Sequence, residues 1–150
     1  MAKKKLAKQS LQMQVAALPF RKRGKSFEVL LITSRETRRW VIPKGWPMKG
    51  KKDWNAAATE AFEEAGIKGD VSRKSIGVFR YLKRRDAGGF ECEVTVYPFE
   101  VTKLLDEWPE QDERRRKWFE AARAAELVAE EGLKAIIQAV YTIPLSDNVT

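Results

Sequence analysis

The sequence predicts an α+β domain in which a mixed β-sheet is sandwiched between helices. Three observations carry that reading. Extended apolar segments open the chain, an alanine-rich helical segment follows a loop punctuated by Pro and Gly, and a hairpin then gives way to a helical C-terminal third. The order strand–strand–loop–helix–hairpin–helix calls for a sheet that buries its apolar faces under helices.

Leu11 to Phe20 alternates in part and reads as the first strand, and RKRGKS is a turn bending at Gly24. Phe27 to Ser34 is too apolar for a sheet wetted on one side, so it reads as a buried strand. A short extended piece, Arg39 to Ile42, leads into a loop marked by Pro43, Gly45, Pro47 and Gly50. The next helix is expected to start at Asp53 as N-cap and to stop at Gly66 in the C′ position. Between them Ala56, Ala57, Ala58 and Ala61 favour helix and permit close packing. KSIGVFRYLKRR and FECEVTVYPFEV are two extended segments joined by DAGG as a hairpin turn. In the second, period-2 alternation puts Cys92, Val94 and Val96 on one face and Glu91, Glu93 and Thr95 on the other. FEAARAAELV and EEGLKAIIQAVY read as helices, the latter with an apolar stripe of Leu133, Ile136, Ile137 and Val140 that reads as core.

A chain of 150 residues, 43% of them hydrophobic, suits one compact domain. Residues 1–10 are read as a basic flexible tail, 11–142 as a single domain and 143–150 as a C-terminal tail. The basic start has no apolar segment behind it, so it is not a secretory signal, and no apolar run is long enough to cross a membrane. Histidine is absent, which excludes His relays, His general bases and His metal sites. The one cysteine, Cys92, can form neither an internal disulfide nor a Cys-cluster zinc site, and a cytoplasmic location is expected. The net charge of +8 favours anionic partners.

Against that positive balance, AAATEAFEEAGIKG gathers Glu60, Glu63 and Glu64 within five residues. At about 100° per residue all three line one side of a helix. Like charges so spaced cost an isolated helix roughly 0.2–0.5 kcal/mol per pair, and anions near a helix C-terminus oppose its dipole. A divalent cation reverses both penalties, and Mg²⁺ prefers carboxylate oxygen together with substrate phosphates. A solvated acidic face is the alternative.

GWPMKGKKDWNAAATEAFEEAGI, Gly45 to Ile67, resembles the Nudix box of the Nudix hydrolases. The matching positions are Gly45, Glu60, Ala61, Glu63, Glu64, Gly66 and Ile67. Lys51 stands where the family has a Glu and Thr59 where it has an Arg. RRWVIPKG, leading into the box, is similar as well. The resemblance implies the Nudix fold and metal-dependent hydrolysis of a diphosphate linkage, with Mg²⁺ or Mn²⁺ held by Glu60, Glu63 and Glu64, one of which also helps to activate water. The missing Glu and Arg are read as a mutually supporting pair, lost together.

WPEQDERRRKWF followed by AARAAELV resembles the C-terminal portion of diphosphoinositol polyphosphate phosphohydrolases, which also hydrolyse diadenosine polyphosphates. The expected substrate is therefore a polyphosphorylated small molecule, of dinucleoside polyphosphate or inositol pyrophosphate type. Arg39, Lys44, Arg114 and Arg116 are the expected phosphate contacts, ahead of Lys49 and Lys51. Gly45 is the box glycine, and Trp46 beside it is a candidate to stack on a base; Trp40 reads as core. Glu91 or Glu93 is a further carboxylate candidate, with an exposed strand face as its ordinary reading. Two alternatives stand beside this function. One is an RNA 5′ pyrophosphohydrolase, which the charge permits but for which there is no RNA-reading motif or aromatic ladder. The other is a non-catalytic nucleotide- or polyphosphate-binding module. No membrane partner is expected, and the chain is read as a monomer or homodimer.

Overall fold

A computed structural model describes residues 11–85 and 88–142, without the side chains of residues 84 and 85. The two predicted tails, and Asp86 and Ala87 of the predicted hairpin turn, lie outside the described residues. The chain forms β1 (Leu11–Arg23), β2 (Ser26–Thr33), β3 (Trp40–Val41), β4 (Lys44–Gly45), α1 (Asp53–Glu60) continued by a π-helical turn (Ala61–Ala65), β5 (Ile67–Val71), β6 (Gly77–Arg85), β7 (Gly88–Leu104), β8 (Arg116–Glu120), α2 (Ala121–Leu127) and α3 (Glu131–Tyr141).

All the strands join one mixed sheet. β1 lies parallel to β7 over ten pairs, from Leu11↔Glu91 to Phe20↔Glu100. β1 and β2 pair as a hairpin only near its turn, from Phe20↔Val29 to Arg23↔Ser26. Beyond that the two strands are bridged by the predicted extended piece: β3 pairs with β2, β4 pairs with β1, and Ala17 N–H donates to Pro43 O at 3.1 Å. The Pro43–Lys44–Gly45 segment is thereby fixed as part of the sheet. β6 and β5 follow one another as antiparallel partners of the long β7, and β8 adds to β2.

Both faces are covered, as expected. On one, Cys92, Val94 and Val96 pack with α2 and α3 through Ala121, Ala124, Leu133 and Ile137. On the other, Val15, Ala17, Tyr97 and Phe99 pack against α1. Ala56, Ala57, Ala61 and Ala65 have no exposed surface, so side chains of a single methyl let α1 lie close on the sheet. This contact sets the height of the glutamates above the sheet.

Several expectations need correction. The helix N-cap is Lys52, which makes no side-chain cap, and Asp53 is instead the first helical residue, where its charge suits the dipole. β5 and β8 were not anticipated; β8 takes up the start of the segment read as helix, because Leu30 and Leu31 offer it a pairing edge. Val140 is exposed, and Tyr141 completes the α3 stripe in its place, against Phe20 and Phe27. Gly66 is the helix stop foreseen, with φ 66° and ψ 43°. Trp40 is half-buried, edge-on to Phe119 at 5.0 Å.

Ala57→Leu should destabilise the fold by about 1–3 kcal/mol, the usual cost of overpacking a filled core, as read from the urea-unfolding midpoint.

Candidate active site

Glu60 and Glu64 come together at the floor of a cleft of about 850 Å³. The π-helical turn, Ala61–Ala65, keeps the i, i+4 closeness of this pair that an α-helix would also give. Its i→i+5 bonds widen the turn, so each residue advances by less than the α-helical 100°. Four residues then still bring Glu64 back close to Glu60, but three leave Glu63 further round. Glu63 accordingly lines the adjoining groove with Lys51, Lys52, Asn55 and Phe62. Glu60 and Glu64 thus line one cleft and Glu63 another groove.

The Glu60 carboxylate lies directly on the Gly45 backbone, where a Cβ would overlap it. Glu64 is 8% exposed and accepts the Lys44 N–H at 3.3 Å. Its carboxyl is pushed up to about 8, first by burial and then by its hydrogen bond to Glu60, with the Arg114 charge pulling the other way. Glu60 is also raised by burial, and its bond with Glu64 opposes that rise. Burial thus disfavours the negative charge on both carboxyls of the pair, most strongly at Glu64. Gly45→Ala should cut turnover by about 10²-fold through displacement of this carboxylate, with a far smaller change in the thermal midpoint; steady-state kinetics and a melt check it.

A third cleft carboxylate is Glu110 rather than Glu91 or Glu93. Those two pair with Arg80 on an exposed strand face, their ordinary reading. Arg114, its side chain 9% exposed, joins the acidic groups: Nε to Glu110 at 2.8 Å, Nη1 to Thr33 O at 3.2 Å and Nη2 to Glu64 at 3.8 Å. Among the described residues no three acidic side chains converge as a ready metal cage. The donor set still fits a hard cation. Two carboxyls, Glu60 and Glu64, line the same cleft, and Mg²⁺ needs only one or two carboxylates when phosphates complete its shell.

Cations also line the cleft, among them Arg35, Arg39, Lys44 and Lys83. Lys44 is half-buried, and burial lowers its ammonium against the attraction of Glu130 and Glu64. Its Nζ lies 4.9 Å over the Tyr81 ring, and Tyr81 O–H donates to Gln14 at 2.7 Å. Arg39 pairs with Glu130 at 3.1 Å. It is delivered by a loop closed by Ser34 N–H to Arg39 O at 2.8 Å, in which Arg38 takes the left-handed φ of 62°. Lys83 also lines the cleft, and so does Trp46, 43% exposed and 6.2 Å from Phe90.

Of the expected binding residues, Arg39, Lys44, Gly45, Trp46 and Arg114 line the cleft and Arg116 does not. Arg116 turns to main-chain carbonyls of Ala65, Gly66 and Leu105 instead, because the uncapped helix end lies within its reach. Sequence reasoning missed Glu110, Gln14 and Tyr81 and did not single out Lys83. Glu110 stands inside the WPEQDERRRKWF segment, which was the available signal. The two departures from the box meet each other: Lys51 Nζ donates to Thr59 Oγ1 at 2.8 Å, and Thr59 Oγ1 donates to Asn55 O at 3.0 Å.

The pH response of the metal-free protein follows from Glu64. Its folded value lies above the ordinary 4.5, so its stabilising contribution is complete below pH 4.5 and is lost as pH rises through about 8. Melting in chelator across that window should show a falling midpoint, and Glu64→Gln should flatten the fall.

The NUDIX domain profile matches residues 10–140. Nudix hydrolase 13, mitochondrial, of Arabidopsis thaliana is 30% identical over 129 residues, covering 82% of this chain and 64% of that protein. Diphosphoinositol polyphosphate phosphohydrolase 3-beta of Homo sapiens is 30% identical over 122 residues, 80% of this chain and 71% of that one. The chain thus spans less than two thirds of the plant relative's length. Among solved structures, a C. elegans Ap4A hydrolase binary complex superposes with a TM-score of 0.63 at 18% identity, covering 85% of this chain and 93% of that chain.

Proposed function

The chain belongs to the Nudix family, and from that premise we propose that it is a metal-dependent pyrophosphohydrolase acting on a polyphosphorylated small molecule. One observation carries the reading: the Glu60–Glu64 carboxyl pair shares a cleft with Arg39, Lys44 and Lys83. A wholly cationic cleft would bind phosphate, and a wholly acidic one would bind metal. Both together suit a phosphate chain that is neutralised while it is cleaved.

Glu60 and Glu64 hold the cation, Mg²⁺ or Mn²⁺. When bound it screens the phosphate charges and lowers the pKa of the attacking water. Glu63, one residue away on the adjoining groove, completes the family's acidic set in this reading. Arg39 and Lys83 grip the outer phosphates, Arg39 with its planar fork and Lys83 as a point charge. Lys44 sits deepest and neutralises the phosphate nearest the glutamates. Glu60 takes the proton of the water that attacks phosphorus. The bridging P–O bond breaks, and its electron pair leaves on the departing phosphate oxygen. Arg114 keeps Glu110 and Glu64 from repelling each other. The Lys51–Thr59 bond ties the loop to α1, which supports reading the altered box as rewired rather than broken.

Dinucleoside polyphosphates come first as substrates, because Trp46 offers a base an exposed ring at the cleft; inositol pyrophosphates follow. The names of the human relative and of the solved Ap4A hydrolase supply the same two classes. No helix among the described residues is long and apolar enough to cross a membrane, and the buried thiol of Cys92 suits a reducing compartment such as the cytoplasm.

The test is phosphate release with Mg²⁺ and with Mn²⁺ from diadenosine polyphosphates, an inositol pyrophosphate, nucleoside triphosphates and triphosphorylated RNA. Turnover on one of the first two classes, lowered at least about 10²-fold in Glu64→Gln, is the expected result. Trp46→Ala should raise KM for the adenosine substrate alone. Tight binding without turnover would make the chain a binding module, and preference for long RNA would make it an RNA-end hydrolase.

A further inference from the structure

The turn that carries Glu64 ends a helix, and the last carbonyls of a helix have no partners of their own. Here each carbonyl from residue 62 to 66 is met. Phe62 O accepts from Gly66 N–H at 3.0 Å, closing the turn from within. The others are met from one distant segment, Leu105 to Arg116. Glu63 O accepts from Glu110 N–H at 3.0 Å, and Glu64 O from the Trp108 indole N–H at 3.2 Å. Ala65 O and Gly66 O both accept from Arg116 Nη1 at 3.0 Å, and Gly66 O also from Leu105 N–H at 2.8 Å.

These contacts reinforce one another. The Arg116 guanidinium stacks over the Trp108 ring at 4.0 Å and donates through Nη2 to Leu105 O at 2.6 Å. The Trp108 indole lies flat on Gly66, where any Cβ would overlap it. A positive charge at this end also complements the helix dipole. Within the box, Thr59 bonds only to Asn55 O and Lys51, a turn or more from Glu64. The glutamate-bearing end is therefore held from outside the box.

We propose that Trp108 and Arg116 are positioning residues: together they fix the backbone of Glu64, Ala65 and Gly66 so that the Glu64 carboxyl stays on Glu60 in the cleft. Arg116 does this work in place of the phosphate contact that its sequence neighbourhood suggested. The effect on turnover rests on the reading of Glu64 given under Proposed function; the effect on the backbone does not.

Trp108→Phe keeps a ring on Gly66 and removes only the N–H to Glu64 O. Arg116→Lys keeps the charge and loses the fork. Each is compared with wild type and Glu64→Gln in steady-state kinetics on the best substrate and in amide hydrogen exchange over residues 61–67. Both variants should exchange faster there and lose about tenfold to 10²-fold in kcat, with KM held within about twofold. Unchanged exchange and kcat in folded Trp108→Phe overturn the proposal. A rise in KM alone in Arg116→Lys overturns it too, because that is the mark of a direct phosphate contact. If Glu64→Gln turns over like wild type, the reading of Glu64 fails, and exchange alone then decides the clamp: faster supports it, unchanged refutes it.

Discussion

Two carboxyl groups of one helix are pressed together in a space too dry for two negative charges. The rest of the site answers that constraint. Glu60 rests on the one residue of β4 that has no side chain to push it away, and burial pushes the Glu64 carboxyl up to about 8. The methyl-lined face of α1 brings the helix close enough to the sheet for this to happen. Arg114 offsets part of the repulsion without removing it. What remains is a standing demand for positive charge, which a divalent cation meets more fully than a proton does.

The basic groups are arranged by the same economy. Arg39, Arg35 and Arg114 each already hold a carboxylate, so the surface is cationic without being a uniform field. Lys44 is different: burial works against its charge, and only the nearby acids keep that cost in bounds. A group so placed gains more from an arriving phosphate than a fully solvated lysine does, because part of its water has already been removed. The positive balance of the whole chain thus matters less than where a few charges have been stripped of solvent.

The sequence made the helix, its glycine stop and the buried face of β7 legible, since each rests on local chemistry: alanines for close packing, a left-handed glycine, and alternation with period two. Gly45, Glu60 and Glu64 were legible through the spacing of the box. Other features depend on the partner rather than on the segment. IKGDV and RKWFE have little strand character alone, and become β5 and β8 because β7 and β2 present open edges to them. Nothing in AFEEA distinguishes a π-helical turn from an α-helical one, so the wider offset of Glu63 from Glu60 was not legible. Arg116 sits in a run of basic residues that reads as phosphate-binding. Its partners are backbone carbonyls, two of them contributed some 50 positions earlier, and a carbonyl leaves no trace in a sequence.

The long β7 carries two neighbours end to end on one edge, β6 along its first half and β5 along its second. β5 follows directly from the glutamate-bearing turn, while β6 carries Tyr81 and Lys83 to the cleft. Chemistry and recognition are therefore hung on different lengths of the same rail. A lineage can lengthen, recharge or replace the β6–β7 tip and so change what is held, while the register at β5, and with it the seat of the carboxyl pair, stays where it was. In such a scaffold new substrates are cheap to explore and the reaction itself is hard to lose.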